Sequence, residues 1–206
     1  MPEQVTTVQV VPVVGFEKIY VAHKLQDDIQ GIKFDTPRYL PGVKELGLKP
    51  KESKDEFYAE NKLWISETTL ASVETELDIT DLGKEDENYC MGHKLAQEGG
   101  VMYHDDDKAP ELCILGKAIK GNGKARYIAI YNGAFGISDE TYKGKEGKAN
   151  FQSKKLKGTF APLKNNGLWK WKIDEEDGMT DEKFFKEVII PTEKTETTEK
   201  KEIVGS

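Results

Sequence analysis

The fold class is decided by one seven-residue stretch, Val73-Glu74-Thr75-Glu76-Leu77-Asp78-Ile79, in which acidic side chains alternate with three apolar side chains and one threonine. Successive side chains of a β-strand point to opposite faces of the sheet, so this period of two predicts a half-buried strand. Val73, Leu77 and Ile79 fall on the face that we expect in the core. The opposite face carries the carboxylates of Glu74, Glu76 and Asp78.

Outward from this strand, short apolar runs alternate with turn residues along most of the chain. We expect strands at residues 19–23, 39–46, 57–59, 63–65, 112–119, 125–131, 151–160 and 168–173, with 60–62 as the turn of a short hairpin. Gly121-Asn122-Gly123 is a strong hairpin signal, and Asn132-Gly133 and Asn166-Gly167 predict further turns. With the central stretch, about eight to ten strands predict a mainly β sandwich or barrel rather than a βαβ fold.

Two short helices are predicted between the strands. The first lies near residues 83–91, with Asp81 as its N-cap and Gly92 as the left-handed residue that ends it. The second spans residues 181–190, from the N-cap Thr180 to the helix-terminating Pro191. Its apolar face is expected to pack on the core and consists of Phe184, Phe185, Val188 and Ile189.

Composition indicates a strongly hydrated protein with enough residues for its own core. The 206 residues are 37% apolar and 33% charged, and the net charge is −7. This acidity argues against DNA binding through neutralised phosphates. We divide the chain into an N-terminal arm (1–14), a β domain (15–190) and a polar C-terminal tail (191–206). The tail is expected to be disordered because residues 192–202 contain no apolar side chain.

The sequence also indicates where the protein is made. Its N-terminus carries Glu3 and Gln4 instead of basic residues, which does not resemble a signal peptide. No run of apolar residues approaches the roughly 18 needed for a membrane span. Cys90 and Cys113 are expected to be reduced in a cytoplasmic core, with a single disulfide as the alternative.

No motif assigns catalysis, a cofactor or a metal. Cys90 and His93 have a zinc-ligand spacing, but a second ligand pair is missing, and a helix end is the preferred interpretation. The run His104-Asp105-Asp106-Asp107 lacks the spacing of a calcium loop and is interpreted as an exposed acidic loop. Gly121-Asn122-Gly123-Lys124 lies between two strands and predicts a turn, not a phosphate loop.

Trp169 and Trp171 alternate with lysines, so both indoles are expected on one face of a strand. Stacking on a base or a sugar is one use of such a face. Packing against the C-terminal helix is the preferred interpretation, because the chain is acidic and shows no basic groove.

Several ordered segments together resemble one known family. The most characteristic is residues 73–81, followed by a short helix that ends in MGHK (91–94). The others are GFEKIYVA (15–22), TPRYLPG (36–42), FYAEN (57–61), RYIAIY (126–131), FQS (151–153) and LKGTF (156–160). In order and spacing, residues 14–190 resemble the major tail protein family of long, non-contractile-tailed phages of Gram-positive bacteria.

The resemblance implies a β-sandwich with a flanking helix, similar to the tube protein of the type VI secretion system. It implies hexameric rings that stack into a tube, with sheets of neighbouring subunits joined into the wall of a lumen through which DNA passes without specific binding. The implied partners are further copies of the chain, the tape measure protein, the tail terminator and the baseplate proteins. The expected location is the virion, after assembly in the host cytoplasm.

Two surfaces would then have defined tasks. The face with Glu74, Glu76 and Asp78 is predicted to line the lumen, because a basic wall would retain a polyanion; an outward solvated face is the alternative. The polar connection 44–63 is predicted to stack rings and to become ordered on assembly, through Lys49, Lys51, Lys54, Asp55 and Glu56. Residues 10–14 are a second stacking candidate, and ordinary solvated loops are the alternative for both.

Two other classes of protein fit parts of the sequence. A secreted carbohydrate-binding or adhesion β-sandwich would suit the strand count and the two tryptophans, but an export signal is missing. A hydrolase on a β scaffold would need a cleft with paired carboxylates. We therefore expect a structural subunit that is not an enzyme.

Overall fold

The computed structural model describes residues 10–137, 140, 142 and 153–194. Its strands are β1 (Val13–Asp28), β2 (Gly31–Phe34), β3 (Arg38–Leu40), β4 (Val43–Ala59), β5 (Lys62–Ile79), β6 (Lys94–Leu95), β7 (Val101–Met102), β8 (Leu112–Lys120), β9 (Ala125–Phe135), β10 (Lys154–Phe160) and β11 (Lys170–Asp174). The helices are α1 (Lys84–Met91), a 3-10 turn (Glu175–Asp177) and α2 (Asp181–Phe184).

Nine of these strands belong to one large antiparallel sheet. Its hydrogen-bonded order is β2-β1-β8-β9-β10-β5-β4, while β3 pairs with β1 and β11 pairs with β9 beside this path. β6 and β7 form a separate two-stranded sheet. The predicted mainly β class is therefore confirmed.

The alternating stretch at residues 73–79 forms the end of β5 that lies inside the sheet. Val73, Leu77 and Ile79 are fully buried, as the period of two predicts. The strand is held between β4 and β10, and its pairing with β10 runs from Val73↔Phe160 to Ile79↔Lys154. Each of the three buried side chains contributes about 1.5–3 kcal/mol of hydrophobic stabilisation.

The sheet has a hydrophobic core on each face. The first core contains the buried residues of β5 and also Ile114 and Ile130. The strand β4, at one end of the sheet order, packs back against β1, so the sheet curls around this core. The second core contains the intervening residues of β8 and β9, among them Cys113 and Tyr131, and is covered by the segment that follows β11.

The helix α1 confirms one predicted boundary and corrects the other. Gly92 ends the helix with a left-handed φ of 75°, and its N–H donates to the carbonyl of Asn88. Gly83, and not Asp81, occupies the N-cap position. The Asp81 carboxylate instead accepts a hydrogen bond from the N–H of Leu82, its immediate neighbour, and so does not reach into the helix.

The C-terminal helix is shorter than predicted. Thr180 caps α2 by accepting from the N–H of Lys183, as expected, but the helix ends at Phe184 and does not continue to residue 190. Tyr131 donates a 2.6 Å hydrogen bond to the carbonyl of Ile189, which ties the residues after the helix to the sheet. The prediction that Phe184, Phe185, Val188 and Ile189 pack on the core is nevertheless confirmed.

The predicted turns also have mixed outcomes. The hairpin at Gly121-Asn122-Gly123 and the turn before Gly167 are present. Asn132-Gly133, in contrast, lies within β9. Asn132 has a φ of 53°, and the pairing of β8 with β9 shifts register beside it. The left-handed backbone conformation that asparagine tolerates thus occurs here in a β-bulge and not in a chain reversal. The predicted strand 39–46 is interrupted at residues 41–42, between β3 and β4.

Candidate functional site

The segment predicted as a polar connection, residues 44–63, is not a loop. It belongs to β4 and β5, which pair with each other along their whole lengths, from Val43↔Ile79 to Ala59↔Lys62. Only residues 73–79 of β5 also pair with β10. Among the described residues, 51–70 therefore form a two-stranded ribbon that leaves the sheet, and at a strand rise of about 3.4 Å per residue it extends for roughly 30 Å.

A tight reversal closes the ribbon. Glu60 and Asn61 have φ values of 52° and 58°, the conformation of a type I′ hairpin turn. Next to this turn lie five large apolar or aromatic side chains that are about half exposed or more: Phe57 60%, Tyr58 61%, Leu63 52%, Trp64 66% and Ile65 49%. A concentration of exposed aromatic side chains on a protruding element is typical of an interaction site.

The predicted stacking residues fall into two groups in this geometry. Lys54, Asp55 and Glu56 lie on the ribbon, whereas Lys49 lies at its base, directly opposite Glu74. Lys51, at the transition, forms an ion pair with Glu74. Sequence reasoning missed the aromatic tip, although it placed a short hairpin at 57–65. The sequence does contain a signal for it. Consecutive apolar residues precede and follow the turn, so both faces of the hairpin carry apolar side chains.

The predicted lumen face brings its three carboxylates together on β5, with lysines on both sides. Cross-strand neighbours share a face, so Glu76 stands beside Lys157, and Asp78 beside Lys155. Lys155 hydrogen bonds to Glu76 at 2.5 Å. This bond and the lysine charge hold the pKa of Glu76 below its usual range.

The same face is electrically balanced and not acidic. Its carboxylates are Glu45, Glu74, Glu76 and Asp78, and its cations are Lys49, Lys51, Lys155 and Lys157. A groove of about 660 Å³ crosses it, floored in part by Gly47, Gly136 and Gly158. The electronegative surface expected from β5 alone is thus neutralised by β4 and β10. Whether this face lines a lumen stays a prediction.

A second polar cluster lies where α1 meets β7 and β10. Tyr103 donates a 2.6 Å hydrogen bond to Glu87, and Lys154 forms 3.1 Å ion pairs with both Glu87 and Glu140. The bond to Glu87 raises the pKa of Tyr103 to about 12. Two carboxylates therefore share one cavity of about 300 Å³, but a lysine ammonium sits between them. This arrangement resembles a neutralised structural cluster more than an acid–base pair.

The two cysteines are free and buried in different cores, so the disulfide alternative is wrong. Burial raises the pKa of Cys90 to about 12 and also raises that of Cys113. His93 faces Asp107 at 2.8 Å and forms no ligand pair with Cys90. In the described part of the chain, no three His, Cys, Asp or Glu side chains are grouped as metal ligands.

The tryptophans do not share a face, contrary to the prediction. Trp171 lies within β11 and packs in the second core, with its ring centroid 6.1 Å from that of Phe184. Trp169 precedes the strand and packs against the first core. The alternation argument fails because residue 169 is not yet in the extended strand. Packing against the C-terminal segment is confirmed for Trp171 alone.

The C-terminal segment is anchored by a charged cluster at the start of α2. Asp181 accepts hydrogen bonds from the Tyr127 hydroxyl at 2.7 Å, from Lys18 at 2.9 Å and from Lys117 at 3.1 Å. Burial would raise the pKa of Asp181, but these three donors outweigh it and lower the value to about 2. The cluster thus joins α2 to β1, β8 and β9.

Parts of the two terminal segments lie outside the described residues, namely 1–9 of the arm and 195–206 of the tail. Of the predicted stacking arm, Val10 and Val14 are exposed, and the carbonyl of Pro12 accepts a 2.8 Å hydrogen bond from Gly121. Residues 151–152 of the predicted strand 151–160 also lie outside this part. Among the described helices, none has the length and apolar character required to cross a bilayer.

Comparison with protein-family models and with curated proteins finds no match for this chain. The features that bear on function are the ribbon, the face of β5 that carries the carboxylates, and the sequence resemblance.

Proposed function

We propose that this chain is a structural subunit of a phage tail tube, which assembles into stacked hexameric rings that conduct DNA. The observation that carries the proposal is the ribbon of residues 51–70. An isolated two-stranded hairpin is at best marginally stable in water. A long ribbon with an exposed aromatic tip is therefore best explained as an element that is covered by another copy of the chain.

The sheet supports the same proposal. Its end strands, β2 and β4, each have an edge without a hydrogen-bonded neighbour among the described residues. Open edges are a hazard in a monomer and a ready joint in an oligomer. Contacts around a ring close on themselves, whereas contacts between rings do not, so head-to-tail stacking produces a filament of identical subunits.

The charged face of β5 fits passage of DNA without retention. Carboxylates paired with lysines present little net charge to a phosphate backbone, which carries about one charge per 1.7 Å of duplex. In the proposal this balanced face lines the lumen, in place of the electronegative wall expected from sequence. The proposed partners remain other copies, the tape measure protein, the tail terminator, the baseplate proteins and passing DNA, with the virion as location.

The proposal is tested by raising the concentration of the purified protein and following its mass by sedimentation velocity and its shape by negative-stain electron microscopy. Rings or tubes of uniform diameter are the expected result. A protein that stays at 23.2 kDa throughout the series and binds an oligosaccharide would instead support the alternative, a carbohydrate-binding or adhesion module.

A further inference from the structure

One face of the ribbon carries an acidic pair that forms no ion pair within the described part of the chain. Asp55 lies directly opposite Glu67, and the next pair towards the tip is Phe57 opposite Ile65. Directly opposed residues of an antiparallel pair share a face, as do residues two apart on one strand. None of the ion pairs in the described part of the chain involves Asp55 or Glu67. Facing like charges destabilise a ribbon unless a cation lies near them.

A basic pair of the opposite kind lies on β11. Lys170 and Lys172 are two residues apart on the strand, so they share a face, and they stand opposite Ile130 and Ile128 of β9. Among the described residues, no carboxylate forms an ion pair with either lysine. Lys170 is half-buried, and its ammonium lies 5.6 Å from the centre of the Trp169 ring.

The surroundings of Lys170 disfavour its charge. Burial, and then the nearby charge of Lys172, hold the pKa of Lys170 below its usual value. Every other described lysine with a shifted pKa has it raised by carboxylate partners, as in Lys18 and Lys120. The ribbon face thus carries carboxylates without a paired cation, and the β11 face carries lysines without a paired anion.

We propose that the ribbon of one copy docks on β11 of a second copy, so that Asp55 and Glu67 meet Lys170 and Lys172. In this arrangement the apolar pair beside the carboxylates packs near Trp169, which lies beside Lys170. The spacing is compatible, because opposed Cβ atoms lie about 5 Å apart and residues i and i+2 of a strand about 7 Å apart. This inference rests on the proposed self-assembly and names the surface that receives the ribbon.

The occupant is a second copy and not the ribbon's own β11. β11 and β10 both pair with β9, and Leu70 at the base of the ribbon packs against the same first core as Trp169. Among the described residues, however, no ion pair joins the ribbon to β11 within one subunit, so the two surfaces do not satisfy each other's charges there. A contact between such different surfaces is heterologous and propagates from copy to copy.

The test is a charge-reversal cycle on the full chain, followed by sedimentation velocity. The ribbon variant is Asp55→Lys with Glu67→Lys, and the β11 variant is Lys170→Glu with Lys172→Glu. Each alone is expected to raise the concentration for half-assembly by about 100-fold or more, because like charges then meet across the contact. An equimolar mixture of the two variants is expected to assemble again, since each ribbon then finds a face of opposite charge.

Two control variants separate this contact from a general effect of charge. Asp105→Lys with Asp106→Lys reverses two exposed carboxylates outside the ribbon, and Lys84→Glu with Lys94→Glu reverses two exposed lysines elsewhere. Both are expected to assemble as the wild type does. Thermal unfolding of every variant checks that the fold is retained.

Three results would overturn the inference. If the wild type assembles and both reversed variants do as well, the docking site is wrong while the proposed function stands. If the reversed variants fail and their mixture also fails although both are folded, the pairing is wrong. If the wild type does not assemble at any concentration, the proposed function and this inference fall together.

Discussion

Phe57 lies directly opposite Ile65 near the tip of the ribbon, and their side chains are 60% and 49% exposed. Within the sheet, comparable cross-strand pairs such as Leu77 and Leu156 are fully buried. The ribbon thus has the same cross-strand pairing of apolar residues as the sheet, but its apolar side chains are exposed. In our account another copy covers these side chains.

The first prediction concerns this pair. Replacing Phe57→Ser together with Ile65→Ser is expected to raise the concentration for half-assembly by roughly tenfold or more, since each half-exposed side chain loses about 1 kcal/mol of burial in the contact. Stability of the monomer should change by less than about 1 kcal/mol. Sedimentation velocity and thermal unfolding measure the two effects.

The matched control is Leu25→Ser with Ile29→Ser, which removes two exposed apolar residues outside the ribbon. Equal losses of assembly in both variants would contradict the prediction.

The second prediction tests the cover of the second core. Phe184 is 1% exposed and lies among the rings of Tyr127, Trp171 and Phe185. Phe184→Ala is expected to lower the free energy of unfolding by about 3 kcal/mol or more, because it leaves a buried cavity. Phe185→Ala, at a half-buried neighbour, should lower the free energy of unfolding by clearly less. Chemical denaturation compares the two, and similar losses would mean that the segment does not close this core.

The third prediction concerns pH and Asp181. Its pKa is about 2 in the folded protein and near 3.8 when unfolded, so its contribution to stability is full above pH about 4 and is lost as the pH falls towards 2. Because about a third of the side chain is exposed, we expect Asp181→Asn to cost about 1 kcal/mol at neutral pH. The gap to the wild type should close between pH 4 and 2 in urea titrations. Asp106→Asn, on an exposed loop, is the control; a gap independent of pH would contradict the assignment.

The fourth prediction follows from the balanced face of β5. Replacing Glu74, Glu76 and Asp78 with lysine leaves the apolar face of the strand unchanged but makes the opposite face strongly basic. Assemblies of this variant are expected to retain duplex DNA in a co-sedimentation assay, increasingly so at low salt, whereas wild-type assemblies should not. Replacing Glu85, Asp105 and Asp106 with lysine adds the same charge outside this face. If the two variants retain DNA equally, the face has no special access to it.

The fifth prediction concerns the thiols. Burial raises the pKa of Cys90 to about 12 and that of Cys113 further, so neither is a thiolate at neutral pH. We expect an aromatic disulfide reagent to react with neither thiol in the native protein. In denaturant, with no reductant present, the reagent should react with both thiols. Rapid reaction of the native protein would show that one of the cores opens.

The sequence predicted those elements whose two faces have different surroundings. Val73 to Ile79 alternates because one face contacts the core and the other contacts solvent and lysines. Both faces of the ribbon are exposed to solvent. There is therefore no apolar periodicity at Lys54, Asp55 and Glu56, and this part of the sequence predicts a loop. Only the partner strand 62–70 makes the segment extended, and pairing between strands is not encoded in either one alone.

The C-terminal segment shows a different limit. Phe184, Phe185, Val188 and Ile189 have helical spacing, and all four do pack on the second core, yet the helix stops at Phe184. The burial of these residues was predictable from their apolar character. The backbone path was not, because it includes a tertiary contact: Tyr131, more than 50 residues away in sequence, donates a hydrogen bond to the carbonyl of Ile189.

The most direct measurement is an electron-microscopic reconstruction of the protein assembled at high concentration. Our account predicts stacked rings with a central channel, in which residues 51–70 of each copy lie against a neighbouring copy and the aromatic tip is buried. An ordered assembly that leaves this ribbon in solvent, or a protein that remains a monomer at every concentration, would contradict it.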